Sequence, residues 1–139
     1  MRLSKLDIIN TNNRVRLTTR VLWEESDQPA RDVFIETEKP FGDDLSLNAD
    51  AFLVGCLIPA MNFGEKRIVL EDSVSPYLRE GVDTVMALMQ QWSNGRMKPL
   101  DIEAPVRSLM NSGCHKPRAA MVFSGGIDSL VTLRLNRQQ

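Results

Sequence analysis

The sequence is poor in cysteine and histidine, with two of the first and one of the second among 139 residues. Cys56 and Cys114 lie far apart and form no CxxC pair, which favours reduced thiols in a cytoplasm over a disulfide scaffold. The only histidine, His115, directly follows Cys114. The two could be interpreted as a nucleophile and its base. Neighbouring side chains usually point apart and no third group is evident, so a solvated loop is the competing interpretation.

Long apolar runs and an excess of charge of one sign are also missing. The longest nearly unbroken apolar stretch, residues 51–61, is shorter than the ~20 residues that cross a bilayer, so no membrane span is predicted. Charges within the first seven residues argue against a secretory signal, and we expect a cytoplasmic protein. Seventeen basic residues against 18 acidic ones provide no strong positive field, which weighs against a nucleic-acid partner without excluding one.

Alternating apolar and polar residues predict that an antiparallel sheet of about three strands opens the protein. The clearest segment is residues 14–23, where every second residue is apolar or β-branched. The same period recurs at residues 6–8 and 33–37, and turn-forming residues separate the segments. The outer face of the second strand carries Arg14, Arg16 and Arg20. These arginines are expected to face water, although they could also touch a partner or an acidic substrate.

A first helix is predicted at residues 48–58, which are apolar on most sides. Asn48 or Asp50 is placed to cap its N-terminus. Pro59 should end or kink the helix, because proline has no amide hydrogen to donate. A short strand at residues 67–70 is expected to follow.

A second helix should begin at Ser75 and Pro76, since serine can cap the free amides and proline fits the first turn. Apolar residues at spacings of three and four predict a stripe that faces the core. The stripe consists of Leu78, Val82, Val85, Met86, Met89 and Trp92. Asn94 and Gly95 favour a left-handed end, and a further strand is predicted at residues 100–104.

The pattern then predicts a change of domain. Residues 1–104 are expected to form an accessory α+β domain, with antiparallel strands followed by helix, strand and helix. Residues 105–117 are small, polar and turn-forming, which is typical of a connector. Residues 119–123 are wholly apolar, as in a strand buried on both faces of a parallel α/β sheet. We therefore expect residues 118–139 to begin a second, parallel α/β domain.

Residues 124–129 read SGGIDS and lead from that strand into a predicted helix. Two consecutive glycines let the backbone turn sharply and bring its amides close to a ligand. The helix N-terminus adds free N–H groups and a partial positive charge, both of which favour phosphate. Ser124 and Ser129 can donate hydrogen bonds to phosphate oxygens. Asp128 would repel a phosphate unless Mg²⁺ lay between them, a common arrangement for magnesium; alternatively, Asp128 merely stabilises the first turn.

The SGGIDS segment resembles the SGGxDS loop of the PP-loop ATP pyrophosphatases, the adenine nucleotide alpha hydrolase-like superfamily. The resemblance covers about residues 118–139. It implies a Rossmann-like domain that binds ATP and Mg²⁺ and adenylates a carbonyl or carboxyl-type oxygen, after which a nitrogen or sulfur nucleophile displaces AMP. The residues that it implies for the ATP site are Ser124, Gly125, Gly126, Ile127, Asp128 and Ser129, with Asp128 as the metal ligand and Asp128 and Ser129 as catalytic residues.

The resemblance also implies that more chain is needed, since such a domain contains several further strands and helices. We expect an amino-terminal piece of a larger enzyme that acts on an unidentified small molecule. A glutaminase in this chain is not expected, because related amidotransferases need cysteine where Arg2 stands. The accessory domain should recognise substrate or form a homodimer. Two alternatives stay open: a non-enzymatic binding module with an inert loop, and a simple glycine turn that caps a helix.

Four basic residues flank the loop and are interpreted as solvated surface: Lys116, Arg118, Arg134 and Arg137.

Overall fold

The computed structural model describes residues 1–108 and 124–136. The chain divides into two compact units, Met1–Leu109 and Met110–Gln139. The strand predicted at residues 119–123, most of the predicted connector and the Cys114-His115 pair lie outside the described residues. The division of the chain at residues 105–117 therefore stays a prediction.

The first unit is built on a mixed sheet of six strands. The strands are β1 (Arg2–Leu3), β2 (Asp7–Asn10), β3 (Arg14–Leu22), β4 (Arg31–Glu38), β5 (Arg67–Leu70) and β6 (Asp101–Glu103). β3 pairs antiparallel with β2 and β4, which confirms the predicted opening sheet. β1 pairs antiparallel with β3 and parallel with β5, and β5 pairs parallel with β6. The fold is a mixed α/β arrangement with a largely antiparallel sheet.

The two faces of β3 follow its sequence pattern. Every second side chain of the strand is buried on the inner face; these residues are Val15, Leu17, Thr19 and Val21. On the outer face Arg14 and Arg16 both pair with Glu36 on β4, at 2.5 and 2.7 Å. The guanidinium of Arg16 also lies 3.9 Å from the centre of the Phe34 ring. The outer arginines thus contact side chains of the neighbouring strand.

Helix α1 (Asp50–Asn62) packs on the core and does not end at Pro59. That part of the prediction is wrong, because a proline in the last turn interrupts few intrahelical bonds. The carbonyl of Pro59 still accepts the N–H of Phe63 at 3.0 Å, which closes the final turn. The left-handed residue that follows the helix is Gly64, with φ of 75°.

Helix α2 (Pro76–Trp92) begins and ends where the sequence predicts. Asn94 and Gly95 both adopt positive φ angles, 53° and 78°. The predicted cap is wrong in one respect, since the Ser75 side chain makes no capping hydrogen bond. The stripe is also narrower than predicted, because Trp92 is 70% exposed. The buried residues of the stripe are Val82 and Met86, and Leu78 and Met89 are half-buried.

A buried ion pair lies at the start of β1, where Met1 is part of the core. The α-amino group of Met1 contacts the Glu65 carboxylate and donates to the Arg67 carbonyl oxygen at 2.9 Å. The same carboxylate accepts the backbone N–H groups of Glu24 and Glu25, at 3.0 and 3.1 Å. The Glu65 side chain is fully buried, so these donors replace water around its charge.

Candidate phosphate-binding site

The SGGIDS segment forms a loop that opens helix α3 (Ile127–Leu135). Gly125 has φ of 77°, a left-handed conformation that other residues adopt only at a cost. Gly126 is the N-cap with φ of −75° and ψ of 167°, which any residue can adopt. A Cβ on Gly126 would meet Ser124 Oγ at 3.5 Å, an ordinary contact. The backbone alone therefore requires glycine at position 125 and does not require it at position 126.

The amides at the start of α3 are the donors of this site. The N–H of Leu130 donates to the Gly126 carbonyl at 3.1 Å, which closes the first turn. The N–H groups of Ile127, Asp128 and Ser129 precede that bond and have no carbonyl one turn back within the helix. Among residues 1–108 and 124–136, no side chain caps this end of α3. Three backbone donors and the positive end of the helix dipole are thus placed beside an exposed loop.

The two serines of the loop have different surroundings. Ser129 is buried, and its hydroxyl donates to the Gly126 carbonyl at 2.8 Å. This bond uses its hydroxyl hydrogen, so the predicted donation from Ser129 to a phosphate would require the hydroxyl to rotate. Ser124 is exposed, and its Oγ lies 3.4 Å from the Gly126 nitrogen. The structure brings Ser124, Gly126 and Ser129 together, with Ser129 acting as a brace of the loop.

Asp128 lies exposed in the first turn of α3. Its backbone carbonyl accepts the Thr132 hydroxyl at 2.8 Å, and no ion pair or hydrogen bond engages its carboxylate within the described chain. The described residues contain no group of three or more His, Cys, Asp or Glu side chains that could hold a metal. A magnesium ion at Asp128 would take its other ligands from phosphate and water, as Mg²⁺ commonly does.

The apolar residues of α3 are exposed on several sides of the helix. They are Ile127, Leu130, Val131, Leu133 and Leu135, each about half exposed or more. Helices with apolar residues all round are typical of layers that are covered by other elements. Arg134, in the last turn, complements the negative end of the helix. Lys116, Arg118 and Arg137 lie outside the described residues.

The first unit has a cavity of about 290 Å³ on the outer face of the sheet. Lys5, Arg16, Arg20 and Asp32 contribute to its lining. Arg20 pairs with Asp32 at 3.3 Å and Arg16 pairs with Glu36 at 2.7 Å. Both arginines of this cavity are therefore engaged by carboxylates of β4, Arg16 by Glu36 and Arg20 by Asp32.

Comparison of the chain with protein-family models, with curated proteins and with solved structures finds no match. Among the described residues, no helix has both the length and the apolar character that crossing a membrane requires.

Proposed function

We propose that residues 124–129 bind the phosphates of ATP in an adenylating enzyme. ATP is cleaved to AMP and pyrophosphate, and a carbonyl or carboxyl-type oxygen of a small molecule is activated for attack by a nitrogen or sulfur nucleophile. The observation that carries this proposal is the combination of Gly125 in a left-handed conformation with the N–H groups in the first turn of α3, which have no carbonyl one turn back within the helix. A backbone of this kind favours an anion that approaches closely.

Each loop residue has a defined part in the proposed reaction. The amides of residues 127–129 donate to the oxygens of the pyrophosphate end, and Gly126 leaves room for that end to approach. The Ser124 hydroxyl is exposed and free to turn toward the same oxygens. Bound Mg²⁺ at Asp128 would neutralise charge on the phosphates. Ser129 keeps the carbonyl of Gly126 in place, which holds the glycine turn.

The chemistry requires one bond to form and one to break at the α-phosphorus. The substrate oxygen attacks that phosphorus, and the bond to the bridging oxygen of pyrophosphate breaks. Pyrophosphate leaves with both electrons of that bond. The amides at the start of α3 and the helix dipole stabilise the charge that develops on the leaving group. The nitrogen or sulfur nucleophile then attacks the carbon that carries the activated oxygen. The bond between that carbon and the oxygen breaks, and AMP leaves with the oxygen.

The decisive experiment is the thermal unfolding of the chain with and without ATP and Mg²⁺. A ligand that binds the folded state raises the midpoint of unfolding by mass action. The same measurement is made on any longer form of the protein that contains these residues. We expect the longer form to show a rise with ATP and Mg²⁺ that is lost in Gly126→Ala, and the 139-residue chain to respond little. A folded longer form whose midpoint does not respond would contradict the proposal and favour a binding module with an inert loop.

A further inference from the structure

Arg107 joins three segments of the first unit through its guanidinium group. Its two terminal nitrogens donate to the two carboxylate oxygens of Asp50, with Nη1 at 3.1 Å from Oδ1. Nη1 also donates to Asn48 Oδ1 at 3.1 Å and to the Ser73 carbonyl at 3.3 Å. One side chain therefore connects the start of α1, the segment before α2 and the chain that follows β6.

The backbone beside Arg107 is attached to the same region. Val74 and Val106 form a parallel β-bridge. The N–H of Val74 donates to the Pro105 carbonyl at 2.9 Å, and the N–H of Arg107 donates to the Val74 carbonyl at 3.0 Å. Val74 follows β5 and Val106 follows β6. The bridge therefore pairs the segments that continue from these two strands, past the end of the parallel β5–β6 ladder.

Burial is uneven across this bridge. Val74 is fully buried, whereas Val106 is 54% exposed and Pro105 is also exposed. The Arg107 and Asp50 side chains are partly exposed, at 35% and 24%. Residues 105–107 are therefore held by polar contacts and bury little apolar surface of their own. Segments of this kind open at a lower free energy than a buried sheet.

We propose that the Arg107–Asp50 pair is a latch that holds residues 105–107 on the first unit. It keeps the Val74–Val106 bridge closed. When the pair is broken, residues 105–107 leave the bridge while the six-stranded sheet stays folded. Residues 105–107 thus have a held state and a released state. The negative charge of Asp50 favours the held state.

Amide hydrogen exchange of the 139-residue chain, resolved by residue, tests the latch. The variants are Asp50→Asn, Arg107→Gln and the double variant. Protection of the Val74 and Arg107 amides should fall about tenfold or more in each single variant. The double variant should lose no more than the more affected single variant, because both changes break one interaction. The amide of Asp101, which donates to the Lys66 carbonyl at 2.9 Å, should keep its protection within about twofold.

Asp83→Asn is the matched control, because it removes the Arg79–Asp83 pair on the surface of α2. It should leave the protection of all three amides unchanged. If the Asp101 amide loses as much protection as the Val74 and Arg107 amides in the Asp50 and Arg107 variants, the pair supports the whole sheet. If the Val74 and Arg107 amides keep their protection, the pair does not hold residues 105–107 in place. Either result overturns the latch. Asp50 also accepts the Ser75 amide at 2.9 Å, so Arg107→Gln decides the question if Asp50→Asn fails to fold.

Discussion

Gly125 and Gly126 are neighbours in the loop before α3, yet their backbones have φ angles of opposite sign, 77° and −75°. A side chain at position 125 is strained whatever space surrounds it. A side chain at position 126 would meet Ser124 Oγ in ordinary contact. Glycine at position 125 is therefore favoured by the backbone conformation itself. Glycine at position 126 would be favoured chiefly by the space that a bound ligand needs.

In a longer form of the protein, Gly126→Ala should abolish the rise in thermal midpoint with ATP and Mg²⁺ while the protein stays folded. Alanine can adopt the backbone angles of position 126, but it is a poorer N-cap residue than glycine, so stability should fall by no more than ~1 kcal/mol. Its methyl group would lie 3.5 Å from Ser124 Oγ, within the loop that we propose binds phosphate. Gly125→Ala is the comparison and should cost about 1–2 kcal/mol, measured by urea unfolding. Nucleotide binding that survives in Gly126→Ala would argue that the loop only terminates a helix.

Asp128→Asn distinguishes a magnesium ligand from a residue that only stabilises the first turn. As a ligand, Asp128 should be needed for the Mg²⁺-dependent part of ATP binding, and the apparent affinity should fall about tenfold or more, measured by titration calorimetry. If Asp128 only interacts favourably with the helix dipole, the substitution should cost ~0.3–1 kcal/mol of stability and leave ATP binding unchanged. Arg134→Gln is the control, since it removes the charge that complements the other end of α3.

Elements with a strong local pattern could be predicted from the sequence. β3 alternates over nine residues, and its inward and outward side chains match that alternation. β1 could not be predicted, because two residues have no period and its parallel partner, β5, lies far along the chain. Trp92 falls at helical spacing in the predicted stripe, but it lies at the last position of α2 and is exposed. Position along a helix therefore matters as much as spacing.

The candidate site shows the same division between local and non-local information. The glycine turn and the helix start follow from SGGIDS itself, because conformational freedom and free amides are local properties. The brace from Ser129 to Gly126 was not predicted, although a serine three residues after the N-cap can reach back to its carbonyl. The Arg107–Asp50 pair joins residues far apart in the sequence, and no spacing rule indicates it.

Leu53→Ala should destabilise the first unit strongly, whereas Val54→Ala should not. Leu53 is fully buried on the inner side of α1, while the next residue, Val54, is 57% exposed. Truncating a buried leucine costs about 2–5 kcal/mol through lost burial and the cavity left behind. The exposed valine should change stability by no more than about 0.5 kcal/mol. Urea unfolding of both variants checks this, and similar losses would mean that α1 packs through a different face.

Acidification should destabilise the first unit through its paired glutamates. Hydrogen bonding to Arg67 and to the Met1 amino group lowers the pKa of Glu24 from 4.5 to about 2. Burial alone would raise the pKa of Glu65, but bonds from the Met1 amino group and from the backbone amides of Glu25 and Glu24 outweigh it and lower that pKa. A carboxyl group with a lowered folded-state pKa binds fewer protons in the folded state.

The stability that these carboxylates contribute is therefore present above about pH 4.5 and is lost as the pH falls toward 2. Urea midpoints measured at closely spaced pH values should fall through this window. Glu24→Gln should flatten the fall, because glutamine has no proton to gain. Glu25→Gln is the control, since the Glu25 carboxylate pairs only with the exposed Lys66 among the described residues, at 2.9 Å. An equally steep fall in Glu24→Gln would show that the ion pair at Glu24 does not set the acid response.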